Sequence, residues 1–500
     1  MLEKIKSLSK ETLIYGTSTI VGRFLNFILV PFYTNVFPPA EYGVVTLVFA
    51  YIAMLNIFFT LGFESGYFKF ASTLEVGDAK ENFSLPFFTI LLNSVILSSI
   101  IFLFSDNLAA LIDLQGEYKY FVKFAAFMLL FDAISFVPFA YLRLHNKPVK
   151  FTLIKIVNIV TNVTLNFVLV LVFKLGLVSV FIANLAASAL TFLLLSPVVF
   201  KNLTFRFNKK LFNELWRFSL PYVPAGLAFI MVAVVNRPIM QILTDEKTVG
   251  IFQANFRLGI IMMLIVQMFD YAWRPFFLNN AKEPDAKEMF SKVLTYFTGF
   301  ASVILIVFTF FIDDIIRIPL IHGSHLIGSE YWSGVYIVPI ILFSYLLYGI
   351  YINLMAGIYI EKKTKYLPYI TGVGAVLNIA GNFLLIPLFG MYGAAIATFI
   401  SYMAMMLYIY RVSEKFYPVK YDVNKIILLN TVNVGAAALF YLIFYGILPS
   451  NLILKFVFTA LLAGLVVYIS GLTKAKVLLQ KTSSKGSGEE KLDIQDEYIP

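Results

Sequence analysis

The sequence predicts an all-α membrane protein with about fourteen transmembrane helices, arranged as two six-helix lobes followed by two C-terminal helices. Three observations carry this. Hydrophobic residues make up 60% of the 500-residue chain and charged residues 14%, against about 45–50% and about 25% in soluble domains. The apolar residues fall in long runs rather than amphipathic stripes. Basic residues concentrate in alternate loops.

The expected spans run 12–36, 42–63, 83–104, 118–141, 151–173 and 177–200 in the first lobe. The second lobe holds 215–243, 249–278, 290–311, 332–355, 366–389 and 392–412, and two more spans follow at 426–448 and 452–472. Each is long enough to cross ~30 Å of hydrocarbon at about 1.5 Å per residue. The N-terminus imitates a secretory signal, with basic residues before an apolar stretch. That stretch lacks a small-residue cleavage site and carries Arg23 and Asn26, so an uncleaved first span is expected. The divisions expected are lobes over 1–200 and 201–414, two additional helices over 415–472, and a solvated cytoplasmic tail over 473–500.

With the N-terminus placed inside, the cytoplasmic loops and termini carry about 28 basic residues and the outer loops about 6. One missed span would scramble this alternation, so both termini are expected in the cytoplasm. The net charge of +10 follows from the same rule, and no nucleic-acid partner is expected. The absence of cysteine excludes disulfides, thiolate metal sites and cysteine nucleophiles. His322-x2-His325, in the longest outer loop, lacks a third ligand, so no metal site is expected.

An internal repeat marks the two lobes. The fifth span reads Asn162-x3-Asn166-Phe167-x5-Phe173 and the eleventh reads Asn378-x3-Asn382-Phe383-x5-Phe389. The spans are six apart, which preserves orientation and makes the lobes parallel repeats.

Charge inside a bilayer costs a few kcal/mol at least, so in-span charges are candidate functional residues. The basic ones are Arg23, Lys155, Arg237, Arg257 and Arg274. Arg23 is about three turns into its span, too deep for easy snorkelling, and faces either a polar cavity or a carboxylate partner. Arg237 and Arg257 could reach the outer interface, and Lys155 and Arg274 the inner one. Together they would form a cationic ladder suited to an anionic cargo, above all a phosphate. Asp132, Asp270 and Glu64 are the coupling candidates. Asp270 and Arg274, spaced i, i+4, could simply pair, and Glu64 could be interfacial. Asn26, Asn378, Asn382 and the fifth-span asparagines either bond between helices or line the cavity. Pro31, Pro138, Pro221, Pro224 and Pro238 would kink or break helices.

Several stretches resemble a known family. They are Thr12-Leu13-Ile14-Tyr15-Gly16 through Arg23, Asn26 and Pro31-Phe32-Tyr33-Thr34; Pro39-Ala40-Glu41-Tyr42-Gly43; Gly62 to Phe70; Ala272-Trp273-Arg274-Pro275-Phe276-Phe277; and Asn378 through Gly393-Ala394-Ala395-Ile396-Ala397-Thr398. In order and spacing the chain resembles the polysaccharide transporter family, the O-antigen-type flippases of the multidrug/oligosaccharidyl-lipid/polysaccharide exporter superfamily. The resemblance implies a V of two lobes around a cationic cavity. It implies alternating access that carries undecaprenyl-diphosphate-linked oligosaccharide to the outer leaflet of the bacterial cytoplasmic (inner) membrane, for O-antigen (lipopolysaccharide), capsule or exopolysaccharide synthesis. It would place Arg23, Arg237, Arg257 and Arg274 against diphosphate or acidic sugar. Asn236-Arg237-Pro238 departs from relatives that carry an Asp before the Arg. Partners implied are the lipid-linked oligosaccharide, membrane lipids, and the polymerase and glycosyltransferases of the pathway. No cofactor is expected, with coupling to a proton or sodium gradient or to membrane potential left open. A lipid II flippase would differ in cargo only. A cation-coupled multidrug antiporter would have an acidic first span. A membrane glycosyltransferase or polymerase needs catalytic carboxylates on a large outer loop, and the chain is not expected to be an enzyme.

Overall fold

The computed structural model describes residues 27–114, 116–320, 323–445 and 451–472. The Arg23 and Asn26 positions, His322 and the expected tail therefore lie outside the described residues. Among the described residues the chain is nearly all helical, with no named strand. Thirteen helices are long and apolar enough to cross a membrane, and the shorter Phe27–Val36 helix (α1) is the end of the expected first span.

Several spans are built from more than one helix, and the breaks have local causes. The second is α2 (Pro39–Thr60) and α3 (Phe63–Thr73), joined at Leu61 and Gly62, both in left-handed backbone (φ 51° and 68°). Glycine fits there for a second reason: a Cβ on Gly62 would sit 2.6 Å from the Ser219 carbonyl oxygen. After α4 (Ala79–Leu103), the short α5 (Ser105–Leu111), α6 (Tyr120–Leu144), α7 (Pro148–Phe167) and α8 (Val178–Asn202), the seventh span is split into three. Asn208 caps α9 (Lys209–Ser219) by accepting from the Leu211 amide at 3.1 Å. Helix α9 buries Leu211, Leu215 and Ser219 and exposes Lys209, Lys210 and Arg217. Pro221 and Pro224 then start α10 (Tyr222–Val234), and Pro238 lies in the first turn of α11 (Asn236–Leu243), where the missing N–H is tolerated. The eighth span is α12 (Glu246–Phe256) and α13 (Ile260–Asn280), separated by a 3-10 turn at Arg257–Gly259. The remaining helices are α14 (Ala286–Ile316), α15 (Val338–Ile360), α16 (Leu367–Phe389), α17 (Met391–Phe416), α18 (Val423–Leu439) and α19 (Leu452–Ser470).

The chain forms two compact units. One contains Met1–Leu278 and Ile312–Pro418, the other Asn279–Phe311 and Val419–Pro500. Within the first, α16 and α17 approach closely through small residues, a Cβ on Gly381 lying 2.9 Å from the Ala397 Cβ. Ile239, Phe252, Phe256, Ile337 and Ile341 belong to its buried core. The sequence repeat is also a structural one. Asn166 donates its amide to the Asn162 carbonyl at 2.8 Å and side-chain oxygen at 3.2 Å, and Asn382 does the same to Asn378 at 2.7 and 3.0 Å.

The second unit packs α14 against α18 and α19. A Cβ on Gly299 would lie 2.4 Å from the Ser470 Cβ, so those helices meet nearly backbone to backbone. Asn433 donates to the Ser302 hydroxyl at 2.8 Å, and Phe310 stacks on Phe458. Gly299→Leu is expected to destabilise this unit by about 1–3 kcal/mol through overpacking. Thermal unfolding followed by fluorescence-detected size exclusion would show an earlier transition.

Candidate substrate cavity

Two polar stripes build the site. On α7, Lys155, Asn158, Asn162 and Asn166 recur every three or four residues, which puts them on one face. On α8, Asn184, Ser188 and Thr191 do the same. The stripes meet: Asn158 donates to the Thr191 hydroxyl at 2.9 Å and to the Ala187 carbonyl at 3.0 Å. In a lipid environment such polar rows need hydrogen-bond partners or a polar cavity to face, and here they have both.

The space consists of two cavities that share Asn162 and Asn184 as lining residues. The first, about 360 Å³, is also lined by Tyr33, Tyr42, Thr46 and Arg257. The second, about 330 Å³, is lined by Asn56, Asp132, Lys155 and Asn158 among others. A polar tract thus runs from Arg257 through the shared asparagines to Lys155. Tyr33 is fixed at the upper cavity by donating its hydroxyl to Asn166 at 2.7 Å.

The helix breaks place the cations. Arg257 opens the 3-10 turn between α12 and α13, and Arg237 is the second residue of α11. The two guanidinium groups lie within electrostatic range of one another. Among the described residues neither forms an ion pair, and the Arg237 Nε is buried without a protein partner. The adjacent Asn236 has both side-chain polar atoms buried and unpartnered.

The other expected site residues are distributed differently. Lys155 and Asp132 share the second cavity, so Lys155 turns to the interior, with its ammonium 4.4 Å from the Phe139 ring centre. Glu64 forms an ion pair with Arg143 at 2.6 Å, at the basic-loop end of the protein. Asp270 and Arg274 pair at 2.8 Å, as their spacing allows, and the Arg274 side chain is half exposed. Asn378 and Asn382 are fully buried and bonded to each other. Among the described residues no group of three or more His, Asp or Glu side chains is placed to hold a metal. Sequence reading missed Asn184, Ser188, Thr191, Tyr33 and Tyr42. The first three carried a signal, polar residues at i, i+4 and i+7 in an apolar helix.

The ends of α1, α2 and α12 away from the basic loops are clamped together. A Cβ on Gly43 would lie 1.9 Å from the Glu246 carbonyl oxygen, and one on Gly250 1.9 Å from that of Pro39. The Tyr331 hydroxyl donates to the Phe37 carbonyl at 2.8 Å. Asn35 donates to the His325 carbonyl at 2.7 Å and accepts from its amide at 3.2 Å.

The chain is nearly all helical among the described residues, with broken spans beside a polar cavity that holds cations, and this is a fold found in solved membrane transporters. The chain resembles the lipid II flippase MurJ in an inward closed conformation, with a TM-score of 0.74 and 16% identity over 93% of this chain and 100% of that one. It resembles an inward-facing multidrug resistance MATE family transporter of the MOP superfamily, with a TM-score of 0.61 and 14% identity over 82% and 96%. A third likeness is to a MOP superfamily transporter from Pyrococcus furiosus Vc1 noted for reverse polarity of its binding pocket. There the TM-score is 0.56, with 15% identity over 85% and 96%. At these identities the likeness is one of fold. No curated protein matches the chain. The family model described as "Polysaccharide biosynthesis protein" (Polysacc_synt) matches residues 8–281, and the chain belongs to that family.

Proposed function

We propose that the protein is a flippase that moves undecaprenyl-diphosphate-linked oligosaccharide from the inner to the outer leaflet of the bacterial cytoplasmic membrane. The cargo serves surface polysaccharide synthesis, whether O-antigen, capsule or exopolysaccharide. The observation that carries this is Arg257, which lines an asparagine-lined cavity without a carboxylate partner and has Arg237 within electrostatic range. Two such cations together are costly unless an anion joins them, and the guanidinium fork suits phosphate oxygens. Asparagine amides offer donors and acceptors to sugar hydroxyls. Arg23 and Asn26, from the first span, are proposed to complete the site, with Arg274 at its entrance on the basic-loop side. Asp132, Asp270 and Glu64 stay the coupling candidates, the driving gradient being a proton, a sodium ion or the membrane potential. Both termini are placed in the cytoplasm, and the pathway's polymerase and glycosyltransferases are the protein partners proposed.

The clamp at the far ends of α2 and α12 supports alternating access, with the cavity loaded from the basic-loop side while the other end is held shut. The fold likeness to a lipid II flippase over that chain's whole length favours peptidoglycan precursor as the second reading. A cation-coupled multidrug antiporter is a poorer fit to a cavity headed by arginine.

The test is Arg257→Gln in cells lacking the native copy. Losing a charged hydrogen bond worth about 1.5–3 kcal/mol should cut surface polysaccharide at least about tenfold, with membrane protein level unchanged. Normal glycan output would sink the proposal. Lysis instead of glycan loss would favour the lipid II reading. Arg23→Ala should behave as Arg257→Gln does.

A further inference from the structure

The second cavity holds one cation and one anion, and their surroundings differ. Lys155 lies within electrostatic range of Asp132, Glu64 and Arg143. Glu64 and Arg143 already satisfy one another at 2.6 Å. Ser188 on α8 lines the same cavity as Asp132. Among the described residues Lys155 and Asp132 act on each other through the cavity without a direct ion pair. The Lys155 ammonium rests on the Phe139 ring and the residue keeps more than a third of its surface accessible, so it is open to a ligand.

We propose that this cavity is a second anion station, in which Lys155 binds the anionic group of the cargo and Asp132 is the resident counter-ion that the cargo displaces. The inference rests on the flippase reading above and adds a station to it. Three physical points support it. A lone ammonium inside a membrane protein is expensive, and Asp132 keeps the empty cavity neutral. The Ser188 hydroxyl lines the same cavity and offers Asp132 a donor when the cargo takes over Lys155, so displacement need not strand a bare carboxylate. And a transport site must release what it binds: an anion that has to compete with a built-in carboxylate is held less tightly than one meeting a bare cation. The two stations communicate through Asn162 and Asn184, which line both cavities. Lys155 and Asn162 are seven residues apart on α7, a rise of about 10 Å. A diphosphate entering from the basic-loop side could therefore meet Lys155 and pass on to Arg257 along one asparagine-lined path.

The test is calorimetric titration of farnesyl diphosphate into the purified full-length protein in detergent. Asp132→Asn, which removes the competing charge at constant shape, should bind about tenfold tighter than wild type. Lys155→Gln should bind about tenfold weaker. The double variant should match Lys155→Gln, because the gain from Asp132→Asn acts through Lys155. Asp132→Asn binding no tighter than wild type would overturn the station, as would a gain that survives in the double variant. Should Asp132→Asn fail to fold, unchanged affinity in Lys155→Gln alone would overturn it. Arg257→Gln separates this inference from the reading it rests on. Weaker binding there with no response at Asp132 sinks the station only, whereas wild-type binding in Arg257→Gln sinks the cationic-cavity reading itself.

Discussion

Arg237→Met is expected to make the protein more resistant to heat and inactive at the same time. Arg237 is followed by Pro238 in the first turn of α11, and its Nε is buried with no protein partner. A neighbouring cation, Arg257, adds repulsion. Leaving a buried donor unmade costs about 1–3 kcal/mol. Methionine has comparable length and no charge, so it removes both penalties and fits the apolar surroundings. Thermal unfolding in detergent should shift upward, while surface glycan falls as it does for Arg257→Gln. A downward shift would mean that Arg237 is satisfied within the protein and is a structural residue. Proteins keep strained or unsatisfied groups where function needs them, and the opposite signs of the two readouts separate these cases.

The second large effect is expected at Gly250. A Cβ there would lie 1.9 Å from the Pro39 carbonyl oxygen and 2.9 Å from the Gly43 amide nitrogen. Both obstacles are backbone, so neither can rotate away. Gly250→Val must push α2 and α12 apart, and Tyr331 and Asn35 would then lose register with their partners on the same end. Transport should stop, and the cavity should open on the side away from the basic loops. The chain has no cysteine, so a single Thr46→Cys probe in the upper cavity gives a clean measurement. An impermeant thiol reagent added from that side should label the probe in the Gly250→Val background far faster than in the wild-type background. Equal labelling rates would show that the glycine crossing does not hold the end shut.

How much of this was legible in the sequence depends on distance along the chain. The spans were, because apolar length is a local property that the bilayer enforces. The Asp270–Arg274 pair was, because i, i+4 spacing is local too. Arg257 and Arg237 stood out as charges in apolar runs, but their coming together was invisible, since it depends on two separate helix breaks. The α12–α13 break carries no proline, so nothing local announced it. Lys155 looked as suited to the membrane interface as to a cavity. What decides is the cavity it shares with Asp132 on α6 and the polar row on α8. The Glu64–Arg143 pair joins residues 79 positions apart, and no spacing rule reaches that far. The α8 row itself was legible and passed over, because its members are small uncharged residues that interhelical bonding explains equally well.

The second compact unit changes what can be removed from the chain. Helices α18 and α19 come last in sequence and have no counterpart in the repeat, which invites treating them as a detachable appendix. Yet α14, from the middle of the chain, shares a unit with them, with Gly299 against Ser470, Ser302 accepting from Asn433 and Phe310 on Phe458. A protein truncated after Pro418 would bare a helix face shaped for a missing neighbour, with an orphaned hydroxyl and a flat glycine patch turned to lipid. Ribosomal synthesis of α14 likewise precedes its partners by more than a hundred residues. Through that interval the nascent chain must shelter this face by other means, until α18 and α19 emerge to cover it.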